Sequence, residues 1–114
     1  MAKLELKIKG DFTKILNKIE KTITYSSASS SLEDKSDFVS GEAKCSVRVF
    51  ERYSYIGHNR LSMNVTLFQN GKDEDIIMSA ITAGGSSAIF FKINTFGEEA
   101  FLDELRAIFN IKNL

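Results

Sequence analysis

The chain has 114 residues, and its 15 basic and 15 acidic side chains give a formal net charge of zero. This balance argues against a protein that binds nucleic acid mainly through phosphates, because such proteins carry an excess of basic charge. The single cysteine, Cys45, cannot form an internal disulfide, which indicates a reducing compartment. Without a signal peptide or an apolar segment of about 20 residues, we expect a cytoplasmic protein with no membrane partner and one domain, residues 1–114.

The first predicted elements are a strand and a helix. Leu4, Leu6 and Ile8 alternate with charged residues, which predicts a half-buried strand. Asp11 is the predicted N-cap of a helix from about residue 11 to 25. The apolar positions with helical spacing are Phe12, Ile15, Leu16, Ile19 and Ile23.

The segment YSSASSSLEDKSDFVSG is rich in serine and poor in apolar residues. It predicts a polar loop followed by a weak edge strand, since edge strands are often kept polar. A disordered regulatory segment is the alternative interpretation. Residues 26–41 therefore have two open readings.

Three further strands are predicted over 43–55, 60–68 and about 74–83. In the first, alternation predicts that Cys45, Val47 and Val49 face the core, and that the intervening arginines and phenylalanine face outward. The second strand directs Leu61, Met63, Val65 and Leu67 inward. The third is apolar on both faces, which predicts a central strand or one covered by a partner chain. Asn70-Gly71 predicts a tight type I′ hairpin between the last two strands.

The last predicted element is a helix. Thr95 and Glu98 have the spacing of a capping box, with Thr95 as the N-cap, and a short extra piece is expected at 87–93. The predicted order is β-α-β-β-β-β-α, which defines an α+β fold with an antiparallel sheet and both helices on one face. This order resembles one repeat of the TATA-binding-protein fold and, more loosely, the helix-grip proteins.

Three blocks of the sequence also resemble a known protein family. SLEDKSD at 31–37, CSVRVFERYSYIGHNRLSMNVTLF at 45–68 and SAITAGGSSAIFFKINTFGEEAFL at 79–102 resemble an uncharacterised family of small bacterial proteins, a domain of unknown function. The resemblance implies a single-domain cytoplasmic protein. It supplies no activity, cofactor or catalytic residue.

The predicted outer face of the sheet mixes basic and apolar side chains. The candidate interface residues are Arg48, Phe50, Arg52, Phe68, Ile76 and Met78. Arginine and aromatic residues are enriched in protein interfaces, so this face predicts self-association into a homo-oligomer. Binding of single-stranded nucleic acid is a weaker alternative, and arginine stems packed over phenylalanine rings are the ordinary one.

Two candidate ligand sites remain. Glu51, Tyr53 and Tyr55 share the predicted inward register and would line a pocket under the last helix for a small apolar or amphipathic ligand. Gly84, Gly85 and Ser86 would form either an anion-binding nest or, as we expect, a glycine corner in the last strand.

No catalytic residue is predicted. His58 and Cys45 are about twelve residues apart along one extended strand, roughly 40 Å, so they do not form a pair. The acidic runs lack the spacing of a metal loop, and no cofactor motif is complete. The sequence therefore favours a non-enzymatic binding or interaction module, with a small-ligand carrier as the alternative.

Overall fold

The computed structural model describes residues 1–54, 59–84 and 91–110, and these ranges hold five strands and two helices. The elements are β1 (Ala2–Ile8), α1 (Phe12–Thr24), β2 (Ser31–Ser40), β3 (Ala43–Ser54), β4 (Asn59–Gln69), β5 (Ile76–Gly84) and α2 (Phe91–Ile108). Their order confirms the predicted β-α-β-β-β-β-α succession.

The strands form one antiparallel sheet in the order β1-β5-β4-β3-β2, so β4 lies in the centre. Both helices contact each other and the same side of the sheet. We call this side the covered face and the opposite side the open face. The predicted α+β class, with both helices on one face, is confirmed.

Helix α1 is formed as its periodicity predicts. The Asp11 side chain accepts a hydrogen bond from the backbone N–H of Lys14 at 2.9 Å, which satisfies one of the unpaired donors of the first turn. Phe12, Leu16, Ile19 and Ile23 are buried against the sheet. The four apolar residues recur at helical spacing because only one face of the helix meets the core.

The core lies between the covered face and the helices. Its fully buried side chains from the sheet are Phe50, Leu61, Met63, Val65, Leu67, Ile76, Met78 and Ala80. Phe101, Leu102 and Leu105 enter from α2. The inward direction predicted for Leu61, Met63, Val65 and Leu67 of β4 is therefore confirmed.

The orientation of β3 is the main difference between the predicted and the observed fold. Arg48 and Phe50 are buried on the covered face, whereas Val47 and Val49 are half-buried on the open face. The predicted orientation of this strand was therefore inverted. Hydropathy alone favours burial of the valines, but acidic side chains on α1, β2 and α2 neutralise the two arginines that the strand turns toward the helices.

The turn predicted between β4 and β5 is also different in the structure. The β4–β5 connection spans residues 70–75, and its turn closes by a bond from the N–H of Glu74 to the carbonyl of Gly71. Gly71 lacks the positive φ that a type I′ turn requires, so that prediction is wrong. The Gln69 side chain donates to the carbonyls of Lys72 and Glu74 and thereby holds a longer loop. The tight hairpin instead joins β2 to β3, where Gly41 has a φ of 60°.

The structure also defines the extent of β2 and the start of α2. Ser31–Ser40 forms an edge strand, which confirms the loop-and-edge reading of residues 26–41. Helix α2 begins at Phe91, so Thr95 lies inside the helix and the predicted capping box is wrong. The segment contains no proline that would prevent an earlier start.

Candidate functional site

The open face carries a row of apolar side chains that crosses four strands. In register, Phe38 of β2 pairs with Cys45 of β3, Cys45 with Phe68 of β4, and Phe68 with Ile77 of β5. Phe38 is 59% exposed, Phe68 37% and Ile77 45%. Since cross-strand neighbours lie about 5 Å apart, these side chains form one continuous band.

A second row lies four residues along the strands and adds two apolar side chains to the open face. Val49 is half-buried, and Ile81 is 41% exposed. Asn64 of β4 lies between them in register. The open face therefore carries apolar side chains in two rows across β3, β4 and β5, and the row between them has Val47 beside the polar Thr66 and Ser79. Within the described residues, neither helix covers this face.

Charged residues mark the two edges of the open face. Lys3 and Lys7 lie on β1, and Asp34 lies on β2 at the same level as Lys3. Lys3 forms an exposed pair with Glu5 at 3.5 Å. Beyond the apolar rows, the Arg60 side chain donates to Glu51 at 2.9 Å, so these two charges already neutralise each other. Lys3 and Asp34 are thus opposite charges at the same level on the two edges.

The predicted interface set divides between the two faces. Phe68 lies on the open face as predicted, but the prediction was wrong for Arg48, Phe50, Arg52, Ile76 and Met78, which lie on the covered face. Phe50, Ile76 and Met78 are fully buried against the helices. The period-2 alternation of a strand places Ile77 and Ile81 outward when Ile76 and Met78 point inward.

Arg48 is the centre of an ion-pair network under α1. Its Nε donates to Glu20 of α1 at 2.8 Å, and its Nη1 donates to Asp37 of β2 at 2.9 Å. The Ser46 hydroxyl also donates to Asp37 at 2.6 Å. The Ser46 hydroxyl and the Arg48 guanidinium lower the pKa of Asp37, because both hydrogen bonds favour its charged form. The network ties three elements together and leaves Arg48 only 4% exposed.

Arg52 is held in a similar way by the last helix. Its Nη1 donates to Glu104 at 3.3 Å, and its guanidinium carbon lies 4.4 Å from the centre of the Phe101 ring. This distance is within the range of a cation–π contact. Arg48 and Arg52 supported the nucleic-acid alternative, and that support is removed because both guanidinium groups bind carboxylates on the covered face.

The predicted pocket residues are not brought together under α2. Glu51 and Tyr53 follow Val49 on the open face, and Glu51 binds Arg60. Their predicted inward direction is wrong for the same reason as the rest of β3. Tyr55, His58, Gly85 and Ser86 lie outside the described residues.

Gly84 has a packing role at the end of β5. A Cβ atom at this position would lie 2.4 Å from Cδ2 of the buried Leu61. Gly84 pairs with Leu61 in the sheet register. The close approach supports the expected reading of a glycine required by packing at this position.

A cavity of about 430 Å³ lies at the opposite end of the molecule from Gly84. It lies among the start of α1, the β2–β3 hairpin and the β4–β5 loop, and is lined by charged and polar residues including Asp11, Glu42, Lys44 and Lys72. Lys44 also lies 5.9 Å from the centre of the Phe12 ring. Across residues 1–54, 59–84 and 91–110, no group of three or more acidic, histidine or cysteine side chains could hold a metal ion.

Sequence reasoning missed Phe38, Val49, Ile77 and Ile81 as members of the exposed surface. The signal for the last two was present, because β5 is apolar on both faces and one of those faces had to meet something other than the two helices. Phe38 stands out as the only aromatic residue in a polar edge strand.

The fold and this surface define a small α+β protein whose sheet is covered by helices on one side and left partly apolar on the other. The chain belongs to a family of unknown function, DUF6054, whose family model matches residues 1–112. No curated protein and no solved structure matches the chain significantly. Within the described ranges, neither helix is both long and apolar enough to span a membrane.

Proposed function

We propose that this protein is a non-enzymatic interaction module that self-associates through the open face of its sheet. The observation that carries the proposal is the continuous apolar band formed by Phe38, Cys45, Phe68 and Ile77. Large contiguous apolar patches on soluble proteins mark interaction sites. Burial of this band against a second apolar surface would remove it from water.

The size of the face suits a second copy of the chain. Five strands span roughly 24 Å across the sheet, and seven to nine residues span roughly 25–30 Å along it. Two such faces in contact would bury roughly 1,200–1,400 Å² in total, which exceeds the roughly 1,000 Å² expected of a specific interface. Sheet-on-sheet packing of this kind is the basis of β-sandwich cores.

The charge pattern also favours a second copy over an unrelated partner. The open face carries Lys3 and Lys7, with Glu5 between them, at one edge, and Asp34 at the other edge, level with Lys3. Such a surface is complementary to itself, which an isologous dimer requires because both subunits present the same patch.

The ligand-carrier alternative has less support. Its predicted lining residues Glu51 and Tyr53 lie on the open face, and the 430 Å³ cavity lies elsewhere with a mostly charged lining. Carriers of apolar ligands have pockets lined mainly by hydrophobic side chains. Self-association is therefore the function that the geometry supports best.

Two substitutions test the proposal. Phe68→Lys and Ile77→Lys place a charge in the apolar band, and we expect each to lower the average molar mass measured by light scattering during size-exclusion chromatography. Tyr25→Lys is the matched control, because Tyr25 is 83% exposed at the end of α1 and lies off the sheet. If the mass is unchanged in both band variants, or falls equally in the control, the proposal is wrong.

A further inference from the structure

We infer that the two copies pack about a twofold axis parallel to β4, so that Lys3 of each chain lies over Asp34 of the other. The inference rests on the proposed function, and it adds the orientation of the partner and the ion pairs that select it. A face-to-face dimer has two simple choices of axis within the plane of the sheet, and the side chains of the open face distinguish between them.

Three rows of register cross the face, and the middle one is mostly polar: Glu5, Ser79, Thr66, Val47, Ser36. The upper row runs Lys3, Ile81, Asn64, Val49, Asp34, and the lower row runs Lys7, Ile77, Phe68, Cys45, Phe38. Each row crosses the sheet from β1 through the central β4 to β2. Because β4 is central, it has two strands on each side.

An axis parallel to β4 exchanges β1 with β2 and β5 with β3 while it preserves the level along the strands. Lys3 then lies over Asp34 of the second copy, and the symmetry supplies this pair twice. Ile81 lies over Val49 of the second copy, and Phe68 over its own equivalent. In the lower row Ile77 lies over Cys45 of the second copy, and Lys7 lies over Phe38. Opposite charges therefore meet at both ends of the upper row, and apolar contacts lie between the edges in both rows.

An axis perpendicular to the strands, through the row of Glu5 and Thr66, gives the opposite outcome. It leaves β1 over β1 and exchanges the two rows, so that Lys3 lies over Lys7 of the second copy. Phe68 then lies over the polar Asn64 and Asp34 over Phe38, although Ile81 still meets Ile77 and Val49 still meets Cys45. The facing lysines repel each other, and burial of Asn64 against an apolar ring removes its hydration without giving it a hydrogen-bond partner. The side-chain pattern therefore selects the axis parallel to β4.

Lys3 and Asp34 are available for this contact within the single chain. The Lys3–Glu5 pair is 3.5 Å long with both side chains more than half exposed, so it contributes little. Asp34 is exposed, and its carboxylate accepts from the backbone N–H of Lys35. Neither residue contributes to the core, so substitutions at these positions leave the fold intact.

The test is a charge-reversal cycle measured by sedimentation velocity on the full chain. We expect Lys3→Glu alone and Asp34→Lys alone each to raise the dimer dissociation constant about tenfold, since each single variant creates two like-charge contacts. The double variant restores opposite charges and should return to within about twofold of wild type. Lys18→Glu, an exposed lysine on α1, is the control for net charge and should leave the constant unchanged.

The outcomes separate the two proposals. If the wild type forms a dimer but the effects of the two single substitutions on the dissociation constant simply add in the double variant, the proposed axis is wrong. Self-association then still stands. Single variants that match wild type also overturn the axis. A wild-type chain that stays monomeric overturns self-association itself, and the axis with it.

Discussion

The Arg48 Nε atom donates to Glu20 Oε1 at 2.8 Å, and this contact joins the middle of β3 to helix α1. The Arg48 side chain is 5% exposed and that of Glu20 is 23% exposed. A charge removed from water to this extent is stable only when it is paired. The pair therefore makes it possible for β3 to turn its arginines inward and its valines outward.

Removal of Glu20 tests the role of this pair. We expect Glu20→Ala to lower the free energy of unfolding by about 1–3 kcal/mol, because Arg48 would stay buried with only Asp37 as a charged partner. Urea denaturation followed by circular dichroism measures the change. Asp75→Ala, which removes an exposed carboxylate from the β4–β5 loop, should cost less than about 0.5 kcal/mol. Equal effects of the two substitutions would contradict this role.

The same network predicts a dependence of stability on pH. The pKa of Asp37 is lowered below the ordinary value of 3.8, first by the Ser46 hydroxyl and then by Arg48. A carboxylate with a lowered folded-state pKa stabilises the protein fully above its unfolded-state pKa, and this contribution is lost as the pH falls through the folded-state pKa. Asp37→Asn should therefore lower the urea midpoint at neutral pH, and the difference from wild type should shrink as the pH falls below about 4. A difference that is constant or grows on acidification would contradict the prediction.

Two phenylalanines test the assignment of the faces. Phe50 is fully buried on the covered face, and Phe68 is partly exposed on the open face. Phe50→Ala should cost about 3–5 kcal/mol of unfolding free energy. Phe68→Ala should cost about 1 kcal/mol when measured at low protein concentration, where association contributes little. If Phe68→Ala were the more damaging substitution, the register of β3 and β4 would be wrong.

Gly84 provides a prediction about close packing. In Gly84→Ala the new Cβ would lie 2.4 Å from Cδ2 of Leu61, so a buried side chain must move. We expect a loss of about 1–3 kcal/mol, the usual cost of an overpacked core. Gly71→Ala is the control, since its nearest neighbour would be 3.5 Å away and its φ is not positive. Thermal unfolding of the two variants would contradict the prediction if their midpoints were equal.

The parts of the fold that could be predicted are those whose faces differ clearly in hydropathy. The alternation of β1, the inward set of β4 and the helical period of α1 each have one apolar side, and the structure follows them. Strand β3 offered two candidate faces, one with valines and one with Phe50 between two arginines. Its orientation depends on Glu20, Asp37 and Glu104, which come from distant parts of the chain, and a local pattern does not contain that information.

The candidate site was predictable in kind but only partly in its residues. The two-sided apolar pattern of β5 indicated a second surface, and Phe68 was assigned to it. Ile77, rather than Ile76 or Met78, belongs to that surface because the helices cover the other side of the strand. The charges at the two edges are seen as a pattern only when the strand order places β1 and β2 on opposite sides of the sheet.

The measurement that tests the account most directly is sedimentation equilibrium of the wild-type chain over a wide range of concentration. We predict that the weight-average mass rises with concentration towards twice the 12.8 kDa chain mass, and that Phe68→Lys stays near the chain mass under the same conditions. A wild-type mass that equals 12.8 kDa at every concentration would contradict self-association through the open face.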